Sequence, residues 1–258
     1  MSMPASDTAP SSRFFAKAGK LRAFLVHLAL SASVVGTVGA LMLMLWYPQP
    51  WFQHDGGWTV YRLILFVDVI LGPLMTLLIF RHGKKGLTRD LSIIAAIQLG
   101  ALAFGVTTML QHRPVFLVHA EGNFFTVTWK EVRDSTRDLA RLDGFRHSNG
   151  LGLPVVFLQL PADAARRAEL RAAPRPISTF GDYYEPMNDE RWTEVLRTRA
   201  DIYSLASQDA GIKAELERFK SGHPQPLDEF VFLPVVCRDA VLMLVFERRS
   251  MTLVDWMN

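Results

Sequence analysis

The chain has 258 residues, half of them hydrophobic, with 28 Lys/Arg against 25 Asp/Glu and a single cysteine, Cys237. One cysteine excludes an intrachain disulfide, so any part outside a membrane must stand on its own core. The positive excess is local: residues 1–114 hold 10 basic against 4 acidic residues, whereas residues 115–258 hold 18 against 21, which excludes a basic nucleic-acid surface there.

The chain opens with "MSMPASDTAPSS", small, polar and Pro/Ser-rich, and disorder is expected there. "RFFAKAGKLRAF" follows as a basic-aromatic interfacial helix, so residues 1–22 read as a partly disordered cytoplasmic tail. Three apolar runs come next: Phe24–Tyr47, Trp58–Phe80 and Leu91–Leu110. Each holds roughly 20 residues or more, which at about 1.5 Å per residue crosses a hydrocarbon core of about 30 Å. The first run is too long for a signal-peptide core and is followed by "WYPQPW" rather than a small-residue cleavage site, so it is expected to be retained. The expected fold is a membrane protein: three transmembrane α-helices (about 24–47, 58–80 and 91–110, within a domain 23–114), then a soluble α+β domain, 115–258, on the outer side.

Charge gives the orientation. Arg13, Lys17, Lys20 and Arg22 precede the first span, and Arg81, Lys84, Lys85 and Arg89 lie between the second and third. The positive-inside rule places both in the cytoplasm. Residues 115–258 are then outside, in the periplasm of a diderm bacterium.

Span one carries Ala32, Gly36 and Ala40 at four-residue spacing, a small-residue row that lets another helix approach closely. That helix is either one of the chain's own or a foreign one. The loop "PQPWFQHDGGW" reads as a tight turn on the outer headgroups; its adjacent His54 and Asp55 make a poor metal-ligand pair.

Span two contains the most informative residue. Asp68 lies ten residues in from Trp58, roughly 15 Å deep, where a carboxylate costs about 2.5–3.5 kcal/mol. It must face another helix, be protonated or find a partner, and Gln98 of span three and Thr37 of span one are the candidates. Gly72, four residues on, shares its face, and Pro73 frees a backbone carbonyl one turn earlier, that of Val69. Three readings stay open: an internal clamp, a contact to a partner's helix, or ion conduction. Ala96/Gly100 and Ala101/Gly105 in span three add further small pairs.

The outer part alternates strands and helices. "PVFLVHAEGNFFTVTW" reads as one or two strands around a Glu121-Gly122-Asn123 turn, and "KEVRDSTRDLARLDG" as a helix. Leu153–Leu160 is a β-branched strand, and "ADAARRAELRAA" a helix ended by prolines. "NDERWTEVLRTRADIYSLA" and "AGIKAELERFKSG" predict two amphipathic helices. Phe230–Val236 and Val241–Glu247 flank a "CRDA" turn, and Thr252–Trp256 adds a last strand.

No metal-spaced Cys/His cluster, nucleophile elbow or P-loop is visible, so no catalysis, cofactor or small-molecule substrate is expected. The acidic-aromatic stretch Asp182, Tyr183, Tyr184, Glu185 does not fit a calcium loop and reads as an outer contact loop or an ordinary surface loop. Cys237 reads as a small apolar residue.

The motifs "WYPQPWF" (Trp46–Phe52), "GGW" (Gly56–Trp58), "VDVILGPLMTLLIF" (Val67–Phe80), "GKK" (Gly83–Lys85), "RDLS" (Arg89–Ser92), "QLGAL" (Gln98–Leu102) and "RPV" (Arg113–Val115) occur in one order. In them the chain resembles the TfpX/TfpZ family of type IV pilin accessory proteins, the FimB-like fimbrial assembly proteins. The resemblance covers residues 21–116 best; in the outer part it rests on "FVFLPV" (Phe230–Val235). It implies an inner-membrane accessory protein or chaperone whose partners are the lipid bilayer and a type IV pilin, and it implies no catalytic residues. The competing expectation, a membrane-anchored periplasmic sensor, has only the short tail and one loop for a cytoplasmic output.

Overall fold

A computed structural model of the chain describes residues 10–81, 84–145 and 152–258, with side chains from Gly19 onward. The tail before Pro10, His82, Gly83 and His147 lie outside them. The chain divides into two compact units: the residues up to Met42 with Thr59–Met109, and Leu43–Trp58 with Leu110–Asn258.

Among the described residues three helices are long and apolar enough to cross a membrane, Gly19–Trp46, Gly57–Ile79 and Leu87–His112, and most of their length lies in the first unit. Helix α1 (Pro10–Leu41) already includes Pro10–Ser12, three residues of the stretch expected to be disordered, and runs into a π turn, Met42–Trp46. After a short helix α2 (Trp51–His54), the second span is α3 (Gly57–Leu65), a π turn (Phe66–Leu71) and α4 (Gly72–Ile79). The third is α5 (Leu87–His112). Within the unit α1 packs along α4 and the second π turn. It does so through Ser31, Val35 and Gly39, all buried. A Cβ on Gly39 would lie 2.3 Å from Tyr61 Oη, so the tyrosine crosses the helix only because no side chain stands there. Helix α5 buries Ile94, Gln98, Gly105 and Met109, one face at helical spacing.

The second unit is a mixed sheet with helices on both faces. Its strands are β1 (Pro114–Ala120), β2 (Asn123–Thr128), β3 (Val155–Leu158), β4 (Tyr184–Pro186), β5 (Phe230–Val236), β6 (Val241–Glu247) and β7 (Leu253–Met257), in the order β4-β3-β1-β2-β5-β6-β7. The β1/β3 and β2/β5 pairs are parallel and the others antiparallel. Glu121 and Gly122 both take positive φ, 49° and 87°, the twist a two-residue hairpin needs. Five helices each start at a side-chain cap: α6 (Trp129–Ser135) at a Thr128/Glu131 capping box, α7 (Ala164–Ala172) at Asp163, α8 (Asp189–Arg197) at Asn188, α9 (Ile202–Gln208) at Asp201 and α10 (Ala210–Gly222) at Asp209.

Two expected helices break. The stretch from Lys130 to Gly144 ends its α-helix at Ser135 and resumes as a 3-10 turn, Ala140–Gly144. Asp182 accepts the Arg137 N–H at 2.9 Å, so that backbone donor is taken by a residue distant in sequence. The stretch from Asn188 to Ala206 splits into α8 and α9 because the Ala200 N–H donates to the Phe232 carbonyl of β5 at 3.0 Å.

One face of the sheet packs Leu117, Phe124, Phe157, Leu233 and Leu244 against Val195 of α8 and against Trp51. The other carries Phe116, Val118 and Val156 against Val132 of α6, and Phe230 and Phe232 against Leu216 and Phe219 of α10.

Candidate functional site

In the second span the backbone ladder shifts to π spacing, and the Gly72 N–H reaches the Val67 carbonyl, five residues back. In the next rung residue 73 would serve the Asp68 carbonyl, but Pro73 has no N–H. In that register the acceptor that Pro73 leaves without its backbone donor is the carbonyl of Asp68. The side-chain amide of Gln98 fills the place, its Nε2 donating to the Asp68 carbonyl at 3.3 Å. Gly72 makes room for it: a Cβ there would lie 1.9 Å from Gln98 Nε2. Asp68, Gly72 and Gln98 thus meet at one junction between the second and third spans, beside Pro73. Thr37 takes no part; its hydroxyl donates to the Ser33 carbonyl on the exposed face of α1.

Two outcomes test this junction. Replacing Gln98 with alanine leaves the Asp68 carbonyl without a donor and is expected to weaken the bundle by about 1 kcal/mol. Gly72→Ala forces α4 and α5 apart and is expected to cost about 2 kcal/mol. Unfolding of the purified protein by graded SDS in mixed micelles reads both, and equal, negligible losses would remove the junction.

The carboxylate of Asp68 is a separate matter. Asp68 is only 5% exposed, and its Oδ2 has no hydrogen-bond partner among the described residues. It lines an apolar cavity of about 200 Å³ between the first and third spans, with His27, Ser31, Val34, Gln98 and Leu102. A second cavity of about 560 Å³ continues it through His27, Leu30 and Ala95 toward Gly19 and Leu91. His27, which sequence reasoning passed over, sits where the two meet and hydrogen-bonds Thr76 Oγ1 through Nδ1 at 2.6 Å. A histidine one helical turn before Ser31 on the face of a span was the available signal.

Ala32, Gly36 and Ala40 are exposed, and nothing lies within 4 Å of a Cβ built on Gly36. The row that packs inside the bundle is the neighbouring one, Ser31/Val35/Gly39. Of the small pairs in span three, only Gly105 is buried.

The acidic-aromatic stretch of the second unit is held by internal hydrogen bonds. Tyr184 is fully buried, and its hydroxyl donates to the Ser178 carbonyl at 2.5 Å. Arg141 donates to the carbonyls of Asp182 and Tyr184 and pairs with Glu185 at 3.2 Å. Tyr183 accepts from Arg166 Nε at 3.3 Å. Among the described residues no group of three His, Cys, Asp or Glu stands close enough to hold a metal.

The loop between the first two spans departs furthest from expectation. It does not end as a turn for headgroups; within the second unit it is plugged into the sheet. Trp51 is fully buried in the core beside Leu117, Phe124 and Leu244. Asp55, 2% exposed, accepts from Thr126 Oγ1 at 2.6 Å and from the Arg238 N–H at 3.1 Å, while its Oδ2 has no partner among the described residues. The Asp239 N–H donates to the His54 carbonyl at 2.9 Å, which closes the loop onto the β5–β6 turn. Burial pushes the Asp55 carboxyl up to about 6, against the pull of the Thr126 and Arg238 hydrogen bonds. Cys237 is buried in the same core, and burial raises its thiol, so it behaves as the small apolar residue expected.

The model of the family described as "Fimbrial assembly protein FimB" matches residues 15–56, which span α1 and this plugged loop up to Gly56. The fimbrial assembly protein of serogroups C1 and C2 of Dichelobacter nodosus is 34% identical over 95 residues, 36% of this chain and 72% of that protein. The serogroup I and serogroup E1 proteins of the same organism are 34% identical over 95 residues, and the chain spans 37% of the length of each. No solved structure matches. At 34% identity over nearly three quarters of the C1 and C2 relative, the chain belongs to the FimB family of fimbrial assembly proteins.

Proposed function

We propose that this chain assists type IV pilus assembly by holding a pilin in the inner membrane through binding rather than catalysis. A type IV pilin awaits assembly with one apolar helix in the membrane and its globular head outside. The three spans would take the stem in the cleft between the first and third, and the outer domain, periplasmic by the positive-inside rule, would meet the head. The observation that carries this reading is Asp68: a 95% buried carboxylate with a free acceptor oxygen, lining an otherwise apolar cleft. In hydrocarbon such a group is retained at a cost of about 2.5–3.5 kcal/mol, and intramembrane acids of this kind mark contacts to partners or substrates. A neighbouring helix in the cleft would shield it from lipid and offer it a donor. Membership of a fimbrial assembly family supplies the class of partner.

In-membrane photocrosslinking tests it. A photoreactive residue at Val34 or Leu102, on the cleft, is expected to capture pilin in cells that make it. One at Phe104, 74% exposed on α5 and not lining the cleft, is expected to capture mainly lipid. Asp68→Leu in the Val34 probe is expected to reduce capture at least fivefold and to lower surface piliation while pilin is still made. Capture from Phe104 as strong as from Val34, or from outer-domain probes alone, overturns the stem-binding reading.

A further inference from the structure

A cavity of about 760 Å³ in the second unit belongs to none of the features above. It lies where α8 gives way to α9, against the start of β5 and the end of β6. Two backbone hydrogen bonds fix its rim: Ala200 N–H to the Phe232 carbonyl at 3.0 Å, and Arg248 N–H to the Glu229 carbonyl at 2.8 Å. They bring Arg197, Arg199 and Arg248 around one opening. The floor is apolar, formed by Ile202, Phe230 and Phe232, and Tyr203 stands at the rim, 62% exposed.

Arginines of this unit find different partners: Arg167 and Arg175 donate to backbone carbonyls and Arg238 contacts His112 Nδ1. Arg133, Arg141, Arg166, Arg171, Arg191 and Arg218 each pair with a carboxylate. Among the described residues none of the three cleft arginines does; Arg199 donates only to the Leu196 carbonyl, at 3.2 Å. Asp201, on the same rim, is spent as a helix cap, its Oδ1 accepting from the Tyr203 and Ser204 N–H groups. Asp228 is the remaining acid of the lining. In a domain with more acidic than basic residues, three guanidinium groups without counter-ions around one cleft are a local concentration of unmet donors.

We infer that this cleft binds an acidic peptide segment, one that presents two or more carboxylates to Arg197, Arg199 and Arg248 and lays an aromatic or apolar side chain on Tyr203 and the floor. Arginine takes carboxylates through paired N–H groups, and an exposed tyrosine gives contact area at low entropic cost. The cavity has room for three or four residues of such a chain. The inference is independent of the stem-binding cleft, and failure of either leaves the other standing.

The test uses the full chain in phosphatidylcholine nanodiscs and a fluorescein-labelled decapeptide of alternating glutamate and serine with a central tyrosine. A peptide with glutamine in place of glutamate is the control. Fluorescence anisotropy is expected to show saturable binding of the glutamate peptide only, weakened by added salt. The pair Arg197→Gln with Arg248→Gln is expected to raise Kd about fivefold or more. Arg249→Gln, an exposed neighbour outside the lining, is expected to leave Kd within twofold, which separates the cleft from general surface charge. Circular dichroism confirms that each variant is folded. Equal binding of both peptides, an unchanged Kd in the double variant, or retention on phosphatidylglycerol vesicles without peptide binding would each overturn the inference.

Discussion

Replacing Trp51 with alanine is expected to destabilise the second unit by about 3–5 kcal/mol, the range for removing a large aromatic from a packed core. For a domain whose total stability is of order 5–15 kcal/mol, that is a large share. The reasoning starts from burial. Trp51 is the largest of the fully buried side chains, and its neighbours are strand residues of β1, β2, β5 and β6. It is delivered by a loop, not by the sheet, so its loss leaves a void that the strands cannot close without moving out of register. The loop then keeps the Asp55 and His54 hydrogen bonds and the buried Tyr47 and Phe52. Trp58, seven residues on and 43% exposed, is the control, and Trp58→Ala is expected to cost under 1 kcal/mol. Hydrogen exchange of the β5 and β6 amides in the full chain separates the two: Trp51→Ala should speed it by two or more orders of magnitude, Trp58→Ala barely. Equal, small effects would mean that the loop decorates the domain instead of completing it.

How this was hidden in the sequence is instructive. "PQPWFQHDGGW" has the composition of a headgroup turn and of a buried plug alike, since both want aromatic rings, glycines and rigid prolines. Only the tertiary partners of Trp51 and Asp55 separate the two, and they lie more than 60 residues away. Local signals were read well where local chemistry decides. The three spans, the β1–β2 hairpin at Glu121-Gly122 and the β5–β6–β7 meander follow from hydropathy, turn residues and alternation. The helices from Lys130 and Asn188 were read too long because their interruptions come from outside: Asp182 captures one backbone donor and Phe232 another. Rows at 32/36/40 and 31/35/39 differ by about 100° of rotation, and the one packed inside the bundle contains Val35, which leaves the smaller-residue row facing outward, open to a foreign helix. The Asp68 junction was legible because a carboxylate, a proline and a glutamine at one depth of a bilayer have few places to go. What sequence could not show was that Gln98 serves the backbone carbonyl and leaves Oδ2 of the carboxylate free.

The pH dependence of the second unit sets two buried groups against each other. Asp55 is raised by burial from 3.8 to about 6, and His119 is lowered by burial from 6.5 to about 4. Asp55 faces Thr126, the Arg238 backbone, and the charges of Arg238 and Asp239. His119 is wedged between Phe124 and Phe157, with Thr198 Oγ1 at 3.5 Å from Nε2. The signs are opposite. The folded chain takes up a proton at Asp55 more readily than the unfolded one, so that group adds stability as pH falls from about 6 toward 3.8. At His119 the folded chain resists the proton, so stability is lost as pH falls from 6.5 toward 4. At about 1.4 kcal/mol per pKa unit, each is worth up to about 3 kcal/mol, and the two nearly cancel across the same window. The native protein is therefore expected to melt at nearly the same temperature between pH 4 and 6.5. Asp55→Asn removes one side of the balance while keeping an acceptor for Thr126 and Arg238. At pH 7.5 it is expected to stabilise the domain by about 2–3 kcal/mol, raising Tm by roughly 5–10 °C. On acidification from pH 6.5 to 4 the same variant is expected to lose that gain, because the histidine is no longer opposed. Adding His119→Gln to it should lower stability overall yet restore the level profile. Tryptophan fluorescence melts across this range read all three, and a variant Asp55→Asn that melts like the native protein at pH 7.5 would show that the buried carboxylate carries no strain.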